Sequence, residues 1–220
     1  MEEATTRPRL RDGMRAAAML APGPLLFGMS FGLLAQNSGL GGLAALVFSA
    51  TTFAGSAQFA AISVLGVGGS AVAAVTAAVL LNARYAPMSV AAAGAFRGRW
   101  WRRLVEAQLL VDESWALAGR GGRFRREILL GAGLLLYPLW IAGTAAGLVI
   151  GDRLGTPEDY GLDGAFAALF LGLAMPTLQS RRAVTAACVA AAIVLGLTSF
   201  VPSGLPLVAA SAACLLGVRR

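Results

Sequence analysis

Apolar stretches and short arginine clusters take turns along this chain. From Ala16 to Ala83 no charged residue occurs across 68 consecutive positions. About 20 apolar residues cross a bilayer as a helix, so this stretch alone has room for three crossings. It is punctuated, however. Pro22 and Pro24 interrupt a first segment over 16–35, the glycines from Gly39 to Gly42 read as a turn, and a second segment covers 43–66. Gly66 to Gly69 reads as another turn, and a third run over 70–96 is broken near its middle by Asn82, Arg84 and Pro87. Proline lacks a backbone donor, which predicts a kink or break at both places. Residues 128–150 then offer 23 uncharged positions. An acidic loop with Asp152, Glu158, Asp159 and Asp163 follows, Asp163 reading as a helix N-cap. Further segments are expected over 164–180, 183–201 and 207–218. The pattern predicts an all-α, polytopic helical membrane protein with six to eight membrane segments, some broken or re-entrant. A basic tail over 1–15 precedes a single transmembrane domain over 16–218.

Composition strengthens this picture. Hydrophobic residues make up 57% and charged residues 13%, about half the charge density of a soluble domain. All 18 basic residues are arginine, against 11 acids, for a net charge of +7. The arginines cluster beside apolar runs, as in the cytoplasmic loops of membrane proteins, so the basic balance speaks for the bilayer and against nucleic acid. If every segment crosses, including 104–118, the count is 12 arginines inside and 5 outside, with Arg84 in the membrane. If instead 70–96 enters and returns, and 104–118 lies on or dips into the membrane, the count is 16 and 1. Both arrangements place the N-terminus in the cytoplasm, and the second fits the positive-inside rule better. Glu106, Asp112 and Glu113 also make 104–118 a poor independent span.

Other totals remove whole classes of chemistry. There is no histidine, hence no histidine metal site, catalytic triad or histidine proton relay. Cys188 and Cys214 lie inside apolar segments, which suits neither a disulfide framework nor a zinc site. No cofactor is expected. The acids Glu2 and Glu3, with prolines 22 and 24 inside the first apolar run, argue against a cleaved signal peptide.

Gly28-Met-Ser-Phe-Gly32 and Gly143-Thr-Ala-Ala-Gly147 have the small-xxx-small spacing that lets helix backbones approach closely. Packing alone does not require the polar residues that interrupt the same segments. Ser56-Ala-Gln58 stands beside Gly55, where the chain could unwind around a polar cavity; bonding between helices would use the same residues. Asn82-Ala-Arg84-Tyr85 precedes Pro87. An arginine within a membrane costs at least about 2.5–3.5 kcal/mol and must face a partner, water or the interface. A broken helix with a charge at the break matches midplane substrate sites of transporters, while a snorkelling arginine at a hairpin tip is the alternative. Asp112 and Glu113 could carry protons or neutralise Arg84, or they could form an ordinary solvated face.

In this order the clusters resemble the AzlC family of branched-chain amino acid permeases. The resemblance runs from about residue 20 to 218. It is carried by Pro24 with Gly28-Met-Ser-Phe-Gly32, Ser49 with Phe53-Ala-Gly-Ser-Ala-Gln-Phe59, Asn82-x-Arg84, the Asp112-Glu113 pair, and Gly161-Leu-Asp163 leading into 166–170. Tyr85 stands where the family usually has histidine, so the family's proton chemistry is not transferred. The resemblance implies export of branched-chain or similar amino acids across the cytoplasmic membrane, together with a second, small membrane subunit of the AzlD type.

The expected function is therefore a secondary transporter for a small, largely apolar zwitterion. Arg84 would take the substrate carboxylate, Asp112 or Glu113 its ammonium, and Ser56, Gln58 and Asn82 would supply neutral hydrogen bonds. A membrane subunit whose polar residues only hold helices together is the main competitor. An intramembrane enzyme lacks an activated nucleophile or metal site in this sequence.

Overall fold

The computed structural model describes residues 8–66, 68–154 and 178–201, with positions 171, 175, 209, 210 and 213. The expected segments 164–180 and 207–218, Asp163 and the motif leading into 166–170 lie wholly or almost wholly outside the described residues.

The described chain is helical, with one small hairpin. Helix α1 is Leu10–Ala18, α2 Pro22–Asn37, α3 Gly42–Thr52, α4 Gly55–Gly66, α5 Ala71–Asn82 and α6 Tyr85–Ala92. A 3₁₀ turn, Ala93–Ala95, leads to α7 Trp100–Ala107 and α8 Asp112–Ala118. The strands β1 Gly119–Arg120 and β2 Arg123–Phe124 form a hairpin, then α9 runs over Arg126–Leu154 and α10 over Arg181–Leu197. The hairpin turns on Gly121 and Gly122, both at positive φ, as a tight two-residue turn requires.

Helix α9 is the axis against which the first half packs. Helix α1 presents Gly13 and Ala17 to it and keeps its charged residues outward, with the Asp12 carboxylate accepting the Arg9 backbone N–H at 2.8 Å. The chain then bends by 69° into α2, whose first residue is Pro22. Proline is well placed there, since a first-turn N–H has no helical acceptor. Along α2 the two small-xxx-small pairs are partners of each other. A Cβ on Gly28 would lie 2.5 Å from the Trp140 carbonyl oxygen, and one on Gly32 would overlap that of Thr144. Conversely, Cβ atoms on Gly143 and Gly147 would overlap the carbonyl oxygens of Leu25 and Met29. The resulting backbone contact supports a core of Phe27, Phe31, Phe53, Ile62, Leu136 and Trp140.

Length sets which elements can cross a bilayer unaided. Arg126–Ile150 and Ala71–Ala95 are each 25 residues, long and apolar enough, and α1 with α2 makes a third span if the bent pair is counted as one. Helices α3 and α4, of 11 and 12 residues, each reach about 17 Å at 1.5 Å per residue and are half-spans. Helices α7 and α8, at eight and seven residues, reach only about 12 Å. One expectation is corrected here: 70–96 does not fold back at Arg84. Ala83 and Arg84 keep helical dihedrals, so α5 and α6 continue as one element with a local break. Pro87 falls in the first turn of α6, and the Ala83 carbonyl it leaves accepts instead from the Ala86 N–H at 3.1 Å.

The ion pair of Glu106 with Arg126 ties α7 to the start of α9, with Arg102 also 3.5 Å from Glu106. The Trp115 indole donates to the Met88 carbonyl at 3.1 Å and fixes α8 to α6. These clamps settle the position of Asp112, the first residue of α8.

Candidate functional site

The break between α3 and α4 falls at Phe53 and Ala54. Phe53 is the one non-glycine residue at positive φ among the described residues, at 39°, a sparsely populated conformation that surrounding contacts must hold. Those contacts are present. The Phe53 ring packs edge-on against Tyr137 with centroids 5.0 Å apart. The last carbonyls of α3, which have no helical donors, are satisfied by side chains. Tyr137 Oη donates to the Ala50 carbonyl at 2.7 Å, and Gln108 Nε2 donates to Ala50 and Thr51 at 3.2 and 2.9 Å. A carbonyl stranded in apolar surroundings would cost several kcal/mol. Gln108→Ala is therefore expected to destabilise the fold by about 1–2 kcal/mol, the penalty for unsatisfied acceptors partly relieved by water. A lowered midpoint in thermal unfolding checks this, with Gln108→Glu as a second variant that keeps the length but loses the donor.

Beyond the break α4 begins at Gly55 and Ser56, and the break between α5 and α6 brings Arg84 to the same place. Arg84 Nη2 donates to Ser56 Oγ at 2.8 Å and to Asp112 Oδ2 at 2.7 Å. Tyr85 Oη lies 3.4 Å from the same carboxylate oxygen, and the guanidinium sits 5.3 Å from the Tyr85 ring centroid. Asp112 and Ser56, which Arg84 bonds, border a cavity of about 30 Å³ that Phe27, Tyr85, Glu113 and Trp140 also wall. One water takes up about 30 Å³ in the liquid. The site as folded therefore has room for a water but not for an amino acid.

Of the residues singled out from sequence, Ser56, Arg84 and Asp112 are in direct contact and Glu113 shares their cavity. Asn82 lies to one side, on a separate opening of about 140 Å³ with Thr52, Ser89 and Gln108. Gln58 is elsewhere. It is fully buried and donates to Ser49 Oγ at 3.0 Å; Ser49 bonds Thr144 Oγ1 at 2.8 Å, and Thr144 donates to the Trp140 carbonyl at 3.0 Å. This buried chain joins α4, α3 and α9, and Gln58 Oε1 is left without a hydrogen-bond partner among the described residues. Trp140, Tyr137 and Gln108 carried no signal in the sequence reading: an aromatic in an apolar run reads as core, and a lone glutamine in a short polar segment reads as surface.

Two interrupted helices meeting at a charged pair beneath an apolar core, in a chain of long apolar helices, define a helical membrane protein. Residues 20–154 match the model of the AzlC protein family, and the chain belongs to that family. It is similar to uncharacterized membrane proteins from two strains of Helicobacter pylori. One is 31% identical over 169 residues, covering 75% of this chain and 74% of the relative. The other is 31% identical over 157 residues, covering 70% and 68%. An uncharacterized membrane protein of Archaeoglobus fulgidus is 34% identical over 176 residues, covering 77% of this chain and 78% of the relative. No solved structure matches the chain. Family membership gives the protein a transport-related role in the membrane.

Proposed function

We propose that this protein is a secondary transporter that exports branched-chain or similar small apolar amino acids across the cytoplasmic membrane, with its N-terminus in the cytoplasm and a small AzlD-type subunit as partner. The observation that carries the reading is the Arg84–Asp112 pair, formed where two helix breaks meet the start of α8, beside a cavity with Asp112 and Glu113 on its wall. A zwitterion is the natural guest of such a pair. Its carboxylate can replace Asp112 on Arg84 while its ammonium takes the released Asp112, with Glu113 on the same wall. Both charges of the site then stay neutralised throughout. A plain amine or plain acid would leave one protein charge uncompensated in apolar surroundings, at a cost of several kcal/mol. Phe27, Leu136 and Trp140 offer the apolar wall, where each buried CH₂ gains about 0.8 kcal/mol.

Since the cavity as folded holds about one water, binding requires the elements around it to part, which is how alternating access works at a broken-helix site. The distribution of arginines supports the orientation. The test is efflux from proteoliposomes loaded with labelled leucine, isoleucine, valine, glutamate or lysine, with and without the partner subunit. Release of the first three above protein-free vesicles supports the reading. Equal, background release of all five would end it.

A further inference from the structure

Trp140 differs from the other tryptophans of the chain. Trp100 and Trp101 are exposed, and the Trp115 indole donates to the Met88 carbonyl. Trp140 is only 5% exposed, yet among the described residues its indole Nε1 has no hydrogen-bond acceptor. Native proteins leave few buried donors unmatched, because each costs about 1–3 kcal/mol. Trp140 lines the cavity that Gly55, Ser56, Asp112 and Glu113 also border.

The same cavity is bordered by a second source of donors. The first N–H groups of α4 have no intrahelical acceptors, and the chain break at Phe53 and Ala54 removes the helical turn that would have preceded them. The helix N-terminus carries partial positive charge, and Arg84 is bonded to Ser56 at that end. A helix N-terminus with Arg84 bonded to it and a buried donor that lacks an acceptor therefore border one cavity, which is the polarity of an anion site.

We propose that Trp140 is a further substrate-binding residue, and that its indole N–H, with the N-terminal turn of α4 at Gly55 and Ser56, completes the carboxylate half of the site begun by Arg84. This rests on the amino-acid transport reading above and adds to it a division of labour. The α4 end, Trp140 and Arg84 take the carboxylate; Asp112 and Glu113 take the ammonium. The indole is a neutral donor, so it contributes to recognition of the carboxylate without altering the charge balance of the ion-pair exchange.

The experiment compares leucine with 3-methylbutylamine, which is leucine without its carboxylate and therefore a much weaker ligand titrated to millimolar concentration, for binding to the full chain in lipid nanodiscs. Trp140→Phe keeps an aromatic wall and removes the N–H. Leucine affinity is expected to fall about tenfold, the loss of one hydrogen bond to a charged group, while affinity for the amine is unchanged. An equal fall for both compounds, or no change in either, overturns the assignment of Trp140 while leaving the transport reading intact. Absence of any leucine binding by the unaltered protein overturns both. Where Trp140→Phe does not fold, ¹⁵N-indole NMR of the unaltered chain decides. Its signal, assigned by elimination through Trp100→Phe, Trp101→Phe and Trp115→Phe, should move with leucine and stay still with the amine, and a signal unmoved by leucine refutes the role.

Discussion

Arg84→Gln is expected to lower amino-acid efflux by about 100-fold, and Asp112→Asn to do nearly the same. The estimate follows from the bonds at stake. Arg84 makes charge-assisted bonds to Asp112 and Ser56, each worth about 1.5–3 kcal/mol where one group is charged, and 1.4 kcal/mol is a factor of ten. Stability should respond differently from transport. Either single substitution leaves one charge without its partner, a loss of about 2 kcal/mol once the pair's partial exposure is allowed for. The double variant Arg84→Gln with Asp112→Asn removes both charges and should recover most of the unfolding midpoint while remaining inactive. That divergence separates a transport site from a structural clamp. A clamp restored in stability would restore activity too, and wild-type efflux from Arg84→Gln alone would take Arg84 out of the site.

The sequence indicated this pair for a physical reason: a 68-residue stretch without charge makes the first charge that ends it expensive unless it is matched. The nearest available acids in the following polar segment were Glu106, Asp112 and Glu113, and the fold uses Glu106 for Arg126 and Asp112 for Arg84. Spacing also revealed both glycine pairs, although not that each would meet the other. What pattern could not convey was which polar side chain serves a ligand and which serves a neighbouring helix. Gln58 looks like a site residue because glutamine is costly in an apolar run, and the fold meets half of that demand: its amide N–H bonds Ser49, which bonds Thr144, while its Oε1 has no partner among the described residues. The direction of 71–95 was equally hidden. A proline marks a lost donor and does not say whether the chain turns back or, with Pro87 in a first turn, goes straight on. The left-handed Phe53 is the clearest gap between the two levels. Glycine is the usual residue in that conformation, which drew attention to Gly55, whereas the break occurs two residues earlier and is held by Tyr137 and Gln108 from distant parts of the chain.

Gly147→Ala is expected to destabilise the protein by about 3 kcal/mol, the upper range for overpacking a close-fitted interior. A single methyl group is an unusually damaging change here because of what it would strike. The added Cβ meets the carbonyl oxygen, carbonyl carbon and Cα of Met29. Those are backbone atoms of a helix, which cannot rotate away as a side chain could, so α2 and α9 would have to move apart along the whole glycine seam. Gly196→Ala in α10 is the matched control: among the described residues an added Cβ there meets nothing within 4 Å, and alanine favours a helix over glycine by about 1 kcal/mol. Its unfolding midpoint should hold or rise. Equal midpoints for the two variants would show that the seam is not under contact. The consequence reaches the site as well. Helix α2 contributes Pro24 and Phe27 to the cavity wall, and α9 contributes Leu136 and Trp140. Separation of the two helices widens a chamber that now holds about one water, letting solvent screen the Arg84–Asp112 pair. Gly147→Ala should therefore retain leucine binding only weakly, and its efflux should lose dependence on the aliphatic side chain before it loses dependence on the two charges.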